Sequence, residues 1–305
     1  MTRLNWYKGN IHTHTTESDG DDSPENVVRW FRRHGYDFLV LSDHNHLTLF
    51  EYGRGKRRFR RPLMIPGEEV TVYIHRGETA IHINGIGISR VVEPVDATEV
   101  VPTLQANVDA ILSAGGIASI NHPNYKWSFD HQAVAQVSGA SLLEIFNGHP
   151  FMNAKGAPGK PSYEQIWDGV LSAGKAIFGV ATDDSHNYKD FSPELGNPGR
   201  GWLMVRASEL TRDAIVEALA SGEFYASTGL ALDELDISHQ TISLRIAQDH
   251  DFVYTTRFIG RDGHVYAEVV GTEAEYSLQG NEGYVRASVG SSSGGRAWTQ
   301  PVFVT

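Results

Sequence analysis

Residues 23–44 carry the pattern that decides the predicted fold, and they read SPENVVRWFRRHGYDFLVLSDH. Ser23 is a typical helix N-cap, and Pro24 suits the first helical position. Gly35 is a typical helix end, and the apolar run 38–41 predicts a buried strand. The polar residues 42–44 come directly after this strand. The segment therefore predicts a helix, a glycine stop, a strand and then a group of polar side chains.

The same pattern recurs twice further along the chain. Residues 112–122 read LSAGGIASINH, and residues 171–186 read LSAGKAIFGVATDDSH. Apolar strands bracketed by helices are typical of a parallel sheet covered on both faces, so we expect successive strands to be parallel. Polar residues at the C-terminal ends of such strands converge on one face in barrels and doubly wound sheets. Further strand candidates with the same ending are residues 10–12, 63–69 and 142–147.

The pattern changes after a helix predicted between Thr211 and Gly222. From about Leu230 onward, apolar and polar residues alternate, as in 241–246 and 284–289, which predicts antiparallel strands. We therefore expect a large domain at residues 1–225 and a small antiparallel β unit at residues 226–305. The residues of this second unit do not decide its role, and the oligomeric state stays open.

Composition excludes several classes of protein. The 305 residues include 26 Lys and Arg against 37 Asp and Glu, for a formal net charge of -11. An acidic chain argues against a surface devoted to nucleic acid or to an anionic membrane. The basic run 54–61 is an exception, but a connecting segment explains it more simply than nucleic-acid binding does. The sequence shows neither a membrane-spanning stretch nor an apolar signal-peptide core, so we expect a cytoplasmic protein.

Cysteine and histidine usage narrows the possible metal chemistry. The chain has no cysteine and 14 histidines, so a transition-metal site would be built from His, Asp and Glu. His12 and His14 are two residues apart on a predicted strand, so both imidazoles face the same side. The other candidates follow, nearly all at predicted strand ends: Asp19, Asp43-His44, Glu68-Glu69, His82, His122 and Asp184-Ser185-His186. Nitrogen and carboxylate ligands without sulfur suit Zn, Mn or Fe.

These motifs together resemble those of the PHP (polymerase and histidinol phosphatase) family. The resemblance covers roughly residues 8 to 190 and rests on motif order, spacing and strand context. It is carried by His12-x-His14 with Asp19, Ser42-Asp43-His44, Gly67-Glu68-Glu69, His82, Asn121-His122-Pro123 and Asp184-x-His186. Three stretches further resemble the carbaryl-hydrolase-like branch of that family: 36–38, 65–71 and 82–85.

The resemblance implies an α/β fold, namely a distorted (β/α)7 TIM-like barrel, with two to three divalent ions at its C-terminal face. The implied ligands are His12, His14, Glu69 and Asp184 for the first ion, Asp19, His44 and His186 for the second, and Glu69, His82 and His122 for the third. Glu69 would bridge, and the ligands of the first ion would also carry catalysis. The family motifs Gly-x-Glu and Asp-x-His select Glu69 over Glu68 and Asp184 over Asp183, whose side chains would point to the opposite strand face.

Four further residues are candidates for contact with a substrate. Lys126 and Arg200 lie in predicted loops where a phosphate could be met. The alternative for both is a solvated loop charge, which is the simpler explanation for Lys126. His46 and His149 follow predicted strand ends, and either could protonate a leaving group. The alternative for both is an imidazole at the surface or behind the ligands.

Three functions stay open at this point. The leading hypothesis is a phosphoesterase that acts on a small phosphorylated metabolite or nucleotide through a metal-bridging hydroxide. The same nucleophile could instead attack a carboxyl ester or a carbamate. A third possibility is a metal-binding module without catalytic activity, but no expected ligand is missing. An amidohydrolase would call for a bridging lysine at a strand end, and we find none. For the leading phosphoesterase hypothesis, the expected partner is a small anionic substrate.

Overall fold

A computed structural model of the chain describes residues 4–52 and 61–304. Most of the basic run, residues 54–60, lies outside this range. The described helices are α1 (Pro24–Arg33), α2 (Val100–Ser113), α3 (His131–Gln136), α4 (Tyr163–Ser172) and α5 (Arg212–Ser221). The first ten strands are β1 (Asn5–Asn10), β2 (Phe38–Leu39), β3 (Leu63–Met64), β4 (Gly67–Ile74), β5 (Thr79–Ile86), β6 (Ile117–Ile120), β7 (Ala140–Asn147), β8 (Phe178–Thr182), β9 (Trp202–Ala207) and β10 (Phe224–Ser227). The remaining strands are β11 (Leu232–Ile237), β12 (Thr241–Ile246), β13 (Tyr254–Ile259), β14 (Val265–Val270), β15 (Glu273–Ser277), β16 (Tyr284–Ser291), β17 (Arg296–Thr299) and β18 (Val302–Phe303).

Local sequence signals set the ends of α1 and α5. The Ser23 side chain accepts a hydrogen bond from the backbone N–H of Asn26 at the start of α1, as its capping position predicts. Thr211 caps the start of α5 in the same way, and Gly222 ends that helix with a φ of 77°, in the left-handed region that glycine adopts without strain. Among the described residues, no helix combines the length and the apolarity needed to cross a bilayer.

Two sheets meet where the predicted ligands lie. One sheet has the order β4-β5-β6-β7-β8, and the other contains β9-β1-β2-β3. Single parallel bridges join the two sheets just beyond the C-terminal ends of β1, β2 and β8, one between Thr13 and Ser185 and the other between His44 and Glu69. The backbone thereby holds four sequence-distant segments together at one end of the strands.

The expectation that successive strands are parallel is wrong for β4, β5 and β6. These strands pair antiparallel, whereas β6-β7, β7-β8 and β1-β2 are parallel. The reason is the connection between β4 and β5, which consists of residues 75–78 alone and is too short for a crossover. The model confirms a mixed α/β fold. It does not confirm a (β/α)7 barrel, because the described chain has five helices against eighteen strands.

The strands of the C-terminal unit pair antiparallel throughout the described range. β11-β12-β15 form a separate sheet, while β13, β14, β16, β17 and β18 extend the sheet that contains β1. This extension runs through β10, which pairs antiparallel with both β9 and β17. The predicted boundary between residues 225 and 226 therefore falls inside a strand. The division into two domains stays a prediction.

Candidate metal centre

His12 and His14 lie on the segment that continues β1, and both are completely buried. Between them, the Thr13 hydroxyl donates to the carbonyl of Val40, so Thr13 faces the neighbouring strand. The His12 Nε2 atom lies 3.2 Å from Asp184 Oδ1 and 3.3 Å from Glu69 Oε1. The His14 Nε2 atom lies 3.2 Å from the same Asp184 oxygen and 3.4 Å from Glu69 Oε2. The structure thus brings together the four residues predicted for the first ion.

A second group surrounds Asp19, which lies at the open side of the cluster. Asp19 Oδ1 is 3.2 Å from His186 Nε2 and 3.6 Å from His14 Nδ1. Its other oxygen, Oδ2, is 3.6 Å from His44 Nε2. The side chain of Asp19 is 56% exposed, whereas that of His186 is 18% exposed, so the group opens to solvent through its carboxylate. Ligand atoms of Asp19, His14, His44 and His186 are close enough together to share one ion.

Glu69 lies at the middle of the predicted ligands. Its Oε1 atom is 3.2 Å from His82 Nδ1 and 3.1 Å from His122 Nε2. Its Oε2 atom is 3.0 Å from His44 Nδ1, and both oxygens also face the first group. All nine predicted ligands therefore belong to one cluster, and Glu69 occupies a position from which it can bridge.

Glu144 is a member of the cluster that the sequence reasoning did not identify. This completely buried carboxylate accepts hydrogen bonds from His12 Nδ1 at 2.7 Å and from the Thr182 hydroxyl at 2.6 Å. Its other oxygen accepts from the backbone N–H of His122 and from the amide of Asn147. A carboxylate on Nδ1 fixes the orientation of the imidazole and leaves Nε2 to face the centre. The signal in the sequence is a lone acid inside the apolar run 142–146.

Polar side chains around the cluster hold its carboxylates and its loop in place. The Asn121 amide donates to Glu69 Oε1 at 2.8 Å, and the Asn147 amide donates to Asp184 Oδ2 at 3.1 Å. Asp43 does not join the cluster. Its oxygens accept from the hydroxyls of Thr15, Ser18 and Thr48 and from the backbone N–H of Thr15. Asp43 thereby anchors the turn that carries Asp19.

Glu68 and Asp183, the neighbours of two predicted ligands, point away from the cluster. Glu68 accepts a hydrogen bond from the backbone N–H of Val92, and burial raises its pKa to about 7. Asp183 accepts from the backbone N–H groups of residues 199–201, and burial raises its pKa to about 6. The alternation of side chains along an extended backbone accounts for both orientations.

The protonation and hydrogen bonding of the cluster fit a metal site. Burial opposes a charge on His12, but Asp184, Glu69 and Glu144 outweigh this and raise the pKa of His12. Burial and the neighbouring His186 lower the pKa of His14 to about 4. The following buried atoms have no hydrogen-bond partner among the described residues: Nε2 of His12 and His14, both ring nitrogens of His82, and Oε2 of Glu69. Buried polar atoms are costly when unpaired, and divalent ions would satisfy this set.

The two histidines proposed as proton donors occupy different surroundings. The His149 ring lies 5.3 Å from the ring of His186, so it borders the cluster, and burial lowers the pKa of His149. The side chain of His46 is 49% exposed, and its nearest acid is Glu17 at 3.7 Å. The structure therefore brings His149, but not His46, against a predicted ligand. Both roles stay predictions.

The two predicted substrate cations are held by backbone carbonyls. The Lys126 ammonium donates to the carbonyl of Gly77 at 2.6 Å and lies 5.1 Å from the centre of the Tyr73 ring. The Arg200 guanidinium donates to the carbonyls of Gly148 and Ser192. Within the described chain, neither the Arg200 guanidinium nor the Lys126 ammonium contacts a predicted ligand. Both substrate roles therefore stay predictions.

A solved structure from Bacteroides vulgatus covers nearly the whole chain. It is a two-domain protein containing a predicted PHP-like metal-dependent phosphoesterase, and it matches with a TM-score of 0.55 at 18% identity. The match spans 98% of this chain and 96% of that one. The two proteins share a fold. At this identity, the shared fold does not establish a shared activity.

Two other solved structures match a smaller part of the chain. An amidohydrolase from Chromobacterium violaceum covers 61% of this chain and 93% of its own, at 15% identity and a TM-score of 0.40. A predicted metal-dependent phosphoesterase from Bifidobacterium adolescentis covers 58% of this chain and 87% of its own, at 14% identity and a TM-score of 0.38. Likeness at these TM-scores is too remote to bear on function. No family model matches the chain, and no curated protein matches it.

Proposed function

We propose that the protein is a metal-dependent hydrolase, and specifically a phosphoesterase that acts on a small phosphorylated metabolite or nucleotide. The observation that carries this proposal is the assembly of the nine predicted ligands in one cluster, in which five imidazoles surround the Glu69 carboxylate and several buried imidazole nitrogens have no hydrogen-bond partner among the described residues. A buried set of this kind is unfavourable unless ions or protons compensate it. Its donor atoms suit two to three ions of Zn, Mn or Fe.

The charges of the ligand set favour an anionic substrate. With Glu144 the cluster has four carboxylates, which would balance two divalent ions but would leave a centre of three ions with a net positive charge. Such ions would supply Lewis-acid polarisation of a phosphoryl oxygen and an activated water. The protein residues hold the geometry: Asn121 and Asn147 orient the central carboxylates, and Glu144 orients His12. His149 borders the side on which a leaving group could be protonated.

We also propose that the chain belongs to the PHP family and that its strands form that family's distorted barrel. The Thr13–Ser185 and His44–Glu69 bridges support this, because they join β1 and β2 to the sheet that contains β4 and β8. The shared fold with the two-domain protein from Bacteroides vulgatus supports it as well. The resemblance to the carbaryl-hydrolase-like branch and the cytoplasmic location stay predictions.

The test is hydrolysis of a panel of phosphomonoesters and phosphodiesters by purified protein loaded with Mn²⁺ or Zn²⁺. We expect turnover, and we expect Glu69→Gln to abolish it. Glu68→Gln is the matched control, because Glu68 lies next to Glu69 but faces Val92, and glutamine retains the acceptor oxygen for that contact. Inertness towards the whole panel would contradict the proposal. Turnover of aryl esters or carbamates without turnover of phosphoesters would select the alternative chemistry.

A further inference from the structure

A cleft of about 1090 Å³ connects the candidate metal centre with the C-terminal β unit. It is lined by His149, whose ring contacts the ring of the predicted ligand His186. It is also lined by Arg296 and Trp298 of β17. Residues 153–156, in the loop after β7, form part of its wall. Two units of the chain thus share a space that begins beside the centre.

The cleft is rich in cations, although the chain is acidic overall. Its charged lining residues are Lys155, Arg200, Arg296 and a single carboxylate, Glu164. Glu164 is already paired, because its two oxygens lie 3.0 Å from a nitrogen of Arg286 and 2.7 Å from a nitrogen of Arg296. Lys155 is exposed and forms no ion pair within residues 4–52 and 61–304. The cleft therefore presents positive charge that its own carboxylate does not neutralise.

Some hydrogen-bond donors that line the cleft have no acceptor within the described chain. The Arg200 guanidinium uses three of its N–H groups, on Gly148, Ser192 and Asn197, and a guanidinium has five. The terminal nitrogen of Arg296 that contacts Glu164 also donates to Ser288, and the other nitrogens of the guanidinium make no hydrogen bond in the described chain, although the guanidinium lies 4.7 Å from the centre of the Trp298 ring. Donors of this kind call for an acceptor that carries several oxygens.

We propose that this cleft binds a second oxyanion of the substrate, a phosphate or a carboxylate group, at a distance from the ester that is hydrolysed at the metal centre. The inference rests on the proposed function and adds to it a substrate class with two anionic ends. It also assigns a role to the C-terminal β unit, since Arg296 and Trp298 belong to that unit. Arg200 then acts on the distal anion and not on the ester.

The experiment compares alkanediol bisphosphates of increasing chain length with alkyl monophosphates of the same lengths, using the metal-loaded protein. We expect kcat/KM to favour at least one bisphosphate by about tenfold, through a lower KM, because one good charge-assisted contact is worth about that factor. Lys155→Gln and Arg296→Gln should each remove most of this preference. Lys175→Gln is the control, because Lys175 follows the far end of α4 and does not line the cleft.

The outcomes separate this inference from the proposed function. Turnover of monophosphates without preference for any bisphosphate would overturn the proposed binding of a second oxyanion in the cleft. A preference that survives both variants would do the same. Neither result would contradict the proposed phosphoesterase activity. If no phosphate ester is hydrolysed, the binding of the bisphosphates to metal-free protein, measured by calorimetry, tests whether the cleft binds an oxyanion. Binding that weakens about tenfold in Lys155→Gln supports the cleft, and absence of binding overturns it. Lys155 is exposed, so its variant tests the cleft even if Arg296→Gln fails to fold.

Discussion

Glu144 is the residue on which the orientation of His12 depends. It accepts four hydrogen bonds, from His12, Thr182, His122 and Asn147, and it is completely buried. A carboxylate behind a ligating histidine raises the basicity of that histidine and fixes its tautomer, and its loss costs about 10–100-fold in metal affinity. Glu144 therefore acts through His12 and not on a substrate.

We expect Glu144→Gln to weaken metal binding by about 10–100-fold while the protein remains folded. Glutamine keeps the volume and one acceptor oxygen, but it cannot satisfy the ring N–H of His12 and the other three donors with a full negative charge. Metal titration followed by calorimetry measures the effect, with Glu68→Gln as the control. Unchanged affinity would show that Glu144 only fills space between β6 and β8.

Metal binding should release protons from the cluster. Burial opposes a charge on His44, but Glu69 and Asp19 outweigh it and raise the pKa of His44 to about 10, and carboxylates raise the pKa of His12 and His122 as well. The raised pKa values favour the protonated form of these imidazoles in the absence of metal, and a protonated imidazole must lose its proton to become a ligand. The apparent affinity of the cluster for metal should therefore rise as the pH rises.

The measurement is calorimetry of metal binding between about pH 6 and about pH 8, repeated in buffers of different ionisation enthalpy. We expect the dissociation constant to fall as the pH rises and the heat to depend on the buffer. An affinity that is independent of pH would mean that the ions do not bind to these imidazoles.

At the scale of elements, a buried ion-pair network joins α4 to β16. Arg286 of β16 is completely buried and donates two hydrogen bonds to Asp168, at 2.8 and 2.7 Å, and one to Glu164, at 3.0 Å. The Tyr284 hydroxyl also donates to Asp168, at 2.8 Å. Asp168 and Glu164 are four residues apart and so share one face of α4. The C-terminal unit is thereby attached to the helix that borders the cleft.

Removal of one partner from this network should be costly. We expect Asp168→Ala to lower the free energy of unfolding by about 3–5 kcal/mol, because it leaves the Arg286 guanidinium buried with only Glu164 opposite. Glu234→Ala is the comparison, since the Glu234 pair with Arg245 is exposed and should contribute much less to the free energy of unfolding. Urea denaturation measures both. Equal losses in the two variants would show that the buried network adds no more than a surface pair.

The elements that the sequence predicts well are those that depend on local chemistry. The limits of α5 follow from Thr211 and Gly222, and the start of α1 follows from Ser23 and Pro24. The β4–β5 hairpin was not predicted by the same rules, because residues 63–69 were interpreted as one strand of the parallel pattern and residues 79–86 were not proposed as a strand. Glu144 was missed for a related reason: its role depends on the contact of β7 with the start of the chain, which no local signal reveals.

For the whole molecule, the ligand cluster links the metal to global stability. Its residues come from segments between His12 and His186, and a metal binds only when these segments are assembled. Binding to the native state alone stabilises it by about 4 kcal/mol at a thousandfold excess over the dissociation constant. The candidate site could be predicted because the types of the ligand residues and the order of their motifs can be read directly from the sequence. The arrangement of sheets was not, since it depends on pairings such as β1 with β9.

Chelation of the metal should therefore lower the melting temperature of the entire chain. We expect scanning calorimetry to show a single transition that moves to lower temperature in the presence of a chelator and returns when Zn²⁺ or Mn²⁺ is restored. Glu69→Gln should lack most of this response. A melting temperature that does not respond to chelator or metal would contradict the assignment of the cluster as a metal site.

The pairing of β1 with β9 also bears on how the protein is made. β1 leaves the ribosome long before β9, so residues 5–9 find their antiparallel partners only when residues 203–207 have been synthesised. At about 5–20 residues per second, this wait is on the order of ten seconds or longer. During that time β1 presents an unpaired edge to other nascent chains, and such edges promote aggregation. Slower growth or added chaperones should therefore raise the soluble yield of this protein more than that of a chain with local strand pairing.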